Sequence, residues 1–215
     1  MSRIIDLTLS LENGLRGVTL ETAQTVEKNG WNATTLHLYS HCGTHMDAPK
    51  HFGVASPLRG EQTIDQIPLE KCMGPAWLVD LSGIKPRSLI TPADVGALQN
   101  KVRPGDSLLL RTGWSRLVHS PAYRDELPRI SPELARWCVD KGIRMLGVEP
   151  PSVADVNNIE ELTTVHEILL KGGIIIVEGL AHLDEIRKEK VTFMAFPLKI
   201  TKGDGSPVRA VTIEE

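Results

Sequence analysis

The 215-residue sequence predicts an α+β fold: a single domain, residues 1–215, with a mixed sheet rich in short strands. Short apolar runs with many β-branched residues recur along the chain and are bounded by Gly, Pro, Asn or Asp. In the second half a strand pattern, a helical pattern and another strand pattern follow one another, which indicates a parallel crossover. The composition, 41% hydrophobic and 24% charged, is typical of a globular protein.

The strands are predicted from β-branched, apolar segments that end at turn signals. They cover residues 3–9, 34–39, 75–81, 107–111, 145–148, 174–177, 193–200 and 208–213. The run 174–177 is apolar throughout, so we expect it to be buried on both faces of the sheet. Asp204 and Gly205 carry the signature of a hairpin turn, which predicts that the last two strands are antiparallel neighbours.

Three helices are predicted from capping residues and from the spacing of apolar side chains. The first begins at the N-cap Thr91, followed by Pro92, and runs to about residue 100. The second begins after Ser131 and ends at Gly142, with apolar side chains on one face. The third covers residues 161–170 and is the crossover helix between the strands 145–148 and 174–177.

Charge and composition argue against several classes of partner. The formal charge is −3 and the pI is near 6.2, which does not favour a nucleic-acid partner. No apolar stretch approaches the roughly 20 residues of a membrane-spanning helix, and the first residues lack the pattern of a secretion signal, so we expect a cytoplasmic protein with no membrane partner. The three cysteines have no CxxC spacing, which argues against a disulfide framework or a thiolate zinc site.

The most informative local feature is a cluster of histidines. Four of the seven histidines fall within residues 37–51. Ligand-type side chains recur in this stretch at His41, His45, Asp47 and His51. Gly43 and Pro49 argue against a helix here, so we expect an extended segment whose odd-numbered side chains from 41 to 47 share one face.

Two imidazoles and a carboxylate on one face predict a metal site. Nitrogen and oxygen ligands without a thiolate suit Zn²⁺ best, with Mn²⁺ or Fe²⁺ as alternatives. Pro49 would turn the chain and bring His51 back over the same site. His37 is expected to be a bystander, and Cys42 a small buried hydrophobic residue.

These residues carry a resemblance to a known family. The motif is His41-x-Gly43-Thr44-His45-x-Asp47-x-Pro49-x-His51, and related segments lie at 5–8, 109–114, 149–153, 197–200 and 205–210. The pattern resembles the signature of the cyclase-like metal-dependent hydrolases, the family that includes bacterial kynurenine formamidase and isatin hydrolase. The resemblance extends over nearly the whole chain and implies a swivelling β/β/α fold and a homodimer or homotetramer.

The resemblance also implies roles for individual residues. It assigns His41, His45 and Asp47 to metal ligation, with Asp47 able to bridge two ions. It makes His51 the proton donor and acceptor. The family's second half-site is matched by His166 and Glu178, twelve residues apart. From the residues alone, Glu178 is most simply an ordinary charge at the end of a strand.

The chemistry expected from these groups is hydrolysis of a carbon–nitrogen bond. A divalent cation lowers the pKa of bound water to about 7 and polarises a carbonyl oxygen. His51 would transfer the protons. The expected substrate is a small formamide, amide or cyclic imide or lactam, as for an arylformamidase. Two alternatives remain: a metal-assisted cyclase or dehydratase, and a catalytically silent metal-binding or scaffold protein.

Overall fold

The computed structural model describes residues 2–53, 55–56 and 60–215. Within these residues the strands, numbered β1 to β14 along the chain, are Arg3–Asp6, Val18–Gln24, Ala33–Leu38, His45–Asp47, Ala55–Ser56, Gly60–Glu61, Met73–Asp80, Leu89–Ile90, Ser107–Arg111, Arg129–Ile130, Met145–Val148, Ile175–Glu178, Lys190–Pro197 and Gly205–Glu214. The α-helices α1 to α4 are Val26–Asn29, Ala122–Asp125, Pro132–Asp140 and Ile159–Lys171. Short 3₁₀ helices cover Pro49–Phe52, Ile64–Gln66, Leu69–Cys72, Pro92–Asn100, Trp114–Leu117 and Leu183–Glu185.

One mixed sheet organises the chain. Its eight strands follow the order β1-β14-β13-β7-β9-β11-β12-β4, and an additional pairing of β14 with β4 closes the sheet into a barrel. The neighbours from β7 to β12 are parallel and the other pairs are antiparallel. The predicted mixed sheet, the crossover through α4 and the final antiparallel pair are therefore confirmed.

Strand β9 shows how the sheet separates two apolar cores. Leu108 and Leu110 face the core that packs against α3 and α4, whereas Leu109 faces the opposite core, inside the barrel. Side chains alternate along a strand, so a strand buried on both faces must be apolar throughout. This explains the continuous apolar run that predicted the strand.

Two polar segments differ from the sequence-based expectation. Strand β2 was not predicted, and it pairs only with β3 among the described strands, forming a ribbon that is exposed over most of its length. The helix predicted from Thr91 is present as a 3₁₀ helix instead of an α-helix. Its capping box joins Thr91 and Asp94, and Gly96 adopts a φ of 59°, which breaks the helical geometry midway.

The cap predicted for α3 is confirmed, because the side chain of Ser131 accepts the backbone N–H of Leu134. The helix predicted over 161–170 is present as α4 and begins two residues earlier, where Asn158, not predicted as a cap, accepts a hydrogen bond from the backbone N–H of Glu161. Helices α1 and α2 were not predicted. None of the helices in the described ranges has the length and apolar character required to cross a bilayer.

A buried carboxylate holds the turn that follows β9. Glu149 is 1% exposed and accepts hydrogen bonds from the backbone N–H groups of Thr112, Gly113 and Trp114. The hydroxyl groups of Thr112 and Ser115 donate to the same carboxylate. A buried charge is tolerated only when it is well satisfied, and here several donors converge on it.

We expect the substitution Glu149→Ala to lower the free energy of unfolding by about 3 kcal/mol or more, because it leaves several buried donors without an acceptor. Urea unfolding followed by circular dichroism measures this. Glu70→Gln, a change at an exposed carboxylate, is the control and should cost less than about 0.5 kcal/mol. A loss below about 1 kcal/mol for Glu149→Ala would contradict this account of the turn.

Candidate metal centre and active-site cavity

Strand β4 places two predicted ligands in the closed part of the barrel. It lies between β12 and β14, so that His45 is paired with Glu178 and Asp47 with Ile176 on one side. On the other side Asp47 is paired with Gly205. Helix α4 contributes His166, whose side chain is 2% exposed. Three separate segments of the sequence therefore meet at one buried point.

The stretch before β4 is not extended, and this part of the prediction was wrong. Only His45–Asp47 is a strand, whereas residues 40–44 form turns, with Gly43 at a φ of 57°. The turn is held by Thr44, whose hydroxyl donates to the carbonyl of Gly179 at 2.5 Å and accepts from the backbone N–H of Leu9 at 2.8 Å. His41 nevertheless reaches the site, because the turn folds its ring back towards Asp47.

Asp47 lies at the centre of the cluster. Its side chain is fully buried; Oδ1 lies 2.8 Å from Nδ1 of His41 and 3.7 Å from Nε2 of His45. Oδ2 lies 3.6 Å from Nε2 of His166, and it has no hydrogen-bond partner among the described residues. A buried carboxylate oxygen without a donor is unfavourable unless a cation balances it.

Backbone carbonyls orient two of the imidazoles. Nδ1 of His45 lies 3.0 Å from the carbonyl oxygen of Gly43, and Nδ1 of His166 lies 2.7 Å from that of Leu162. A carbonyl oxygen can only accept, so both Nδ1 atoms are assigned the hydrogen. Each Nε2 atom then faces the cluster, and a ring held through Nδ1–H in this way, with the other nitrogen free for a cation, is the arrangement that metal-binding histidines adopt in proteins.

Glu178 is the second buried carboxylate of the cluster. Its Oε2 lies 3.2 Å from Nε2 of His45, and its Oε1 lies 3.5 Å from Nε2 of His166. Oε1 also accepts the backbone N–H of Val153 at 2.7 Å. Burial raises the pKa of Glu178 and the charge of Asp47 raises it further, but the hydrogen bonds from the two imidazoles outweigh both and lower it.

The imidazoles respond in the opposite direction. Burial lowers the pKa of His45 and of His166, but the hydrogen bond and charge of Glu178 outweigh burial and raise both values. For His41, burial is likewise outweighed by Asp47 and Asp204, which raise its pKa to about 9. In the chain alone, protons on the imidazoles therefore balance the buried carboxylates.

The donor set fits a divalent cation. His41, His45 and Asp47 form one group of mutually close ligand atoms, and Asp47, His166 and Glu178 form a second. The two groups share Asp47, whose two oxygens face different imidazoles. Imidazole nitrogens and carboxylate oxygens are ligands that Zn²⁺ and Mn²⁺ accept. The structure thus brings all five predicted ligands together, in two groups joined by one carboxylate.

His51 lies over the same cluster, as Pro49 predicted. The 3₁₀ turn Pro49–Phe52 places its ring against that of His41, with centroids 3.7 Å apart, and edge-on to Phe52 at 4.6 Å. Burial lowers the pKa of His51, and the nearby His41 lowers it as well, against the opposing charge of Asp47. A lowered pKa favours the neutral form of the His51 imidazole near pH 7.

Asp204 is a neighbour of the cluster that the sequence analysis did not select. Its Oδ2 lies 3.1 Å from Nε2 of His41 and 3.9 Å from Nδ1 of His51. We interpreted Asp204 only as a turn residue, because nothing in its local sequence indicates that the turn lies against His41, 163 positions earlier in the chain. Burial raises the pKa of Asp204, but the hydrogen bonds from His41 and from its own backbone N–H lower it overall.

A cavity of about 540 Å³ opens above these side chains. Its wall includes His41, His45, His51, His166 and Glu178. Aromatic rings come from Tyr39, Phe52 and Tyr123, and aliphatic side chains come from Leu9, Leu15 and Leu162. Arg16 and Arg124 also line it. The cavity has the volume and the mixed lining of a small-molecule site.

Two residues of the histidine-rich stretch lie outside the cluster, as expected. His37 lies on the exposed ribbon, where its Nε2 is 3.4 Å from Glu21 on the paired strand. Cys42 is 1% exposed, and burial raises its pKa, which agrees with a small apolar role.

Comparison with known proteins agrees with this site. The model of the Cyclase family, described as "Putative cyclase", matches residues 5–155. A kynurenine formamidase from Salinibacter ruber is 31% identical over 86% of this chain and 81% of its own length.

Solved structures share the fold. Isatin hydrolase A from Labrenzia aggregata, bound to benzyl benzoate, superposes with a TM-score of 0.88 at 24% identity, covering 99% of this chain and 93% of that one. A potential metal-dependent hydrolase with cyclase activity superposes with a TM-score of 0.78 at 25% identity, covering 100% of this chain and 99% of that one. The predicted α+β fold class is therefore confirmed.

The fold, the buried cluster and these relatives define a metal-dependent amidohydrolase. Within that class, the chain belongs to the Cyclase family.

We expect the affinity for Zn²⁺ to rise with pH up to about 9, because the raised pKa values of the three clustered imidazoles make protons compete with the cation. Each displaced proton contributes up to about tenfold per pH unit. Competition with a chromophoric chelator between about pH 6 and pH 10 measures this, with the chelator's own protonation corrected. An affinity that does not change over this range would contradict the charge balance described above.

Proposed function

We propose that this protein is a two-ion hydrolase that cleaves the carbon–nitrogen bond of an aromatic formamide, with a cyclic imide or lactam as a related substrate. The observation that carries the proposal is the shared position of Asp47. It belongs to both groups of ligand atoms, and the imidazoles around it, His41, His45 and His166, line a cavity that also contains His51.

His41, His45 and Asp47 are proposed to hold one ion, and Asp47, His166 and Glu178 the other. Zn²⁺ is the proposed metal, with Mn²⁺ as the alternative, because the set combines imidazole nitrogens with carboxylate oxygens and contains no thiolate. When bound, a divalent cation supplies Lewis acidity towards a carbonyl oxygen and hydroxide at neutral pH.

His51 is the proposed general acid and base. Its lowered pKa leaves it neutral near pH 7, so that it can accept a proton from the attacking water. Water adds to the formyl carbon, the carbon–nitrogen bond breaks, and His51 returns the proton to the departing nitrogen. The products are formate and an arylamine. A cyclic imide would open to an acid by the same steps.

The walls of the cavity support an aromatic substrate. Phe52 stacks on the ring of His166, with centroids 4.3 Å apart, and thus fixes one apolar side of the cavity next to the cluster. Tyr39 and Tyr123 provide further rings. The name of the kynurenine formamidase relative agrees with a substrate of this kind.

A cyclase or dehydratase remains the alternative within the family, since another solved neighbour is described as having cyclase activity. The same His51 would then act on a carbon skeleton and water would be lost. Release of formate from a formamide, or of a ring-opened acid from an imide, distinguishes hydrolysis from loss of water.

Assembly and location complete the proposal. The exposed ribbon and the segment that connects its two strands present Val26, Trp31 and Leu36, each more than half exposed, which supports a homodimer or homotetramer that covers them. Sedimentation velocity would measure the assembly, and a monomer at micromolar concentration would contradict it.

In the described chain Cys42, Cys72 and Cys138 form no disulfide, which supports a cytoplasmic location.

We expect the purified protein to contain two divalent ions per chain, measured by inductively coupled plasma mass spectrometry. Asp47→Asn should lose both ions and at least about a hundredfold in kcat/KM, because it removes the shared ligand. Glu178→Gln should lose one ion. Glu21→Gln, at an exposed carboxylate, is the control and should keep both. Full turnover by protein without bound metal would contradict the proposal.

We expect His51→Gln to lower kcat by about 10²- to 10⁴-fold on an aromatic formamide such as formanilide, with the metal content unchanged. The reason is that the neutral amide cannot transfer the proton. Formate release and loss of isatin absorbance provide the two assays.

His37→Gln is the matched control, because this imidazole is exposed and lies outside the cluster. It should retain kcat within about twofold. If wild type and His51→Gln were equally inactive on formamides, amides and imides, the catalytically silent alternative would be favoured.

A further inference from the structure

Asp204 lies in the turn between β13 and β14 and approaches two histidines of the cluster, His41 and His51. No role has so far been assigned to it. Its Oδ2 lies 3.1 Å from Nε2 of His41, 3.9 Å from Nδ1 of His51 and 3.4 Å from the hydroxyl of Ser40. The side chain of Asp204 is 42% exposed, whereas that of His41 is 7% exposed. A partly exposed carboxylate therefore faces the buried cluster from the outside.

The backbone holds this carboxylate in place. The carbonyl of Asp204 accepts the backbone N–H of Ala48 at 3.0 Å, immediately after strand β4. The next residue, Gly205, packs against the ring of His41 so closely that a Cβ atom there would lie 2.5 Å from its Cε1. A side chain at position 205 would displace the imidazole, so the glycine permits the approach of the turn.

The contact fixes how the ring of His41 is oriented. A carboxylate only accepts hydrogen bonds, so Nε2–H of His41 donates to Asp204. Nδ1 lies 2.8 Å from Asp47 and therefore faces the centre of the cluster, where a cation would take the place of its hydrogen. A carboxylate, an imidazole and a metal in this order form a common arrangement in metalloproteins, in which the outer carboxylate orients the ligand and raises its basicity.

We propose that Asp204 is a positioning residue that holds the ring of His41 by accepting a hydrogen bond from Nε2–H, so that Nδ1 would face the cation. This inference rests on the proposed function. Asp204 touches neither the substrate nor the cation in this role.

The test compares Asp204→Asn with Asp65→Asn. Asp65 is a suitable control because its Oδ1 accepts the backbone N–H of Lys202, in the same turn, without contacting either histidine. Both substitutions remove one charge that contacts this turn, so an effect on turn stability alone should appear in both variants. Asp204→Glu keeps the charge and serves as the rescue variant.

The first measurement is the Nε2–H resonance of His41 in ¹H–¹⁵N spectra of the Zn²⁺-loaded protein. A hydrogen bond to a carboxylate shifts this proton downfield and slows its exchange with water. We expect a slowly exchanging signal in wild type and in Asp65→Asn, and a faster-exchanging signal in Asp204→Asn. This readout requires no turnover, so it separates failure of this inference from failure of the proposed hydrolysis.

The second measurement is Zn²⁺ affinity by chelator competition, together with kinetics on formanilide. Asp204→Asn should lose about 10- to 100-fold in affinity and, when saturated with metal, about tenfold in kcat with KM within about threefold. Asp204→Glu should recover part of both losses. Values of Nε2–H exchange, affinity and kcat in Asp204→Asn that are all within twofold of those in Asp65→Asn would overturn the proposal. If Asp204→Asn did not fold, Asp204→Glu would decide, because its longer side chain displaces the carboxylate. A partial loss of affinity and faster Nε2–H exchange than in Asp65→Asn would support the proposal, and values within twofold would overturn it.

Discussion

A fully buried carboxylate, Asp47, is the constraint on which the rest of this structure depends. Three imidazoles surround it, and one of its oxygens has no hydrogen-bond donor within the described chain. Such a group is costly in an apolar interior unless positive charge balances it. In the chain alone, raised pKa values of the imidazoles provide that charge. A divalent cation can replace those protons and balance the same negative charge. The cluster is therefore suited to bind a metal ion.

The closed sheet brings the other charged side chains of the cluster to Asp47. Strand β4 is only three residues long, yet it joins β12 to β14 and so closes the barrel at the point where the charges converge. The parallel strands and α4 carry the apolar cores on both sides, while Glu178 ends β12 next to His45. Rigid strands and a packed helix hold the ligands, and a turn and a 3₁₀ helix place His41 and His51 over them.

The sequence predicted elements well where burial dictates residue type. Strand β9 and the crossover from β11 to β12 were confirmed, because strands buried on both faces must be apolar. Strand β2 was missed, since an exposed ribbon requires no apolar alternation. The segment 41–47 was expected to be extended throughout, whereas residues 40–44 form turns. Tertiary contacts of Thr44 with Gly179 and Leu9 decide that conformation, and no local pattern reveals them.

By itself, the sequence determined the candidate ligand types: imidazoles at 41 and 45, a carboxylate at 47 and a further histidine at 51. Its resemblance to a known family added His166 and Glu178 as candidates. Residue type and spacing carry this information because metal chemistry requires particular donor atoms. Only the tertiary structure decided that Asp47 is shared between two groups, which nitrogen each imidazole presents, and that Asp204 lies against His41. These features depend on strand pairing and on close backbone approach between distant segments, and neither is written in any single stretch of the chain.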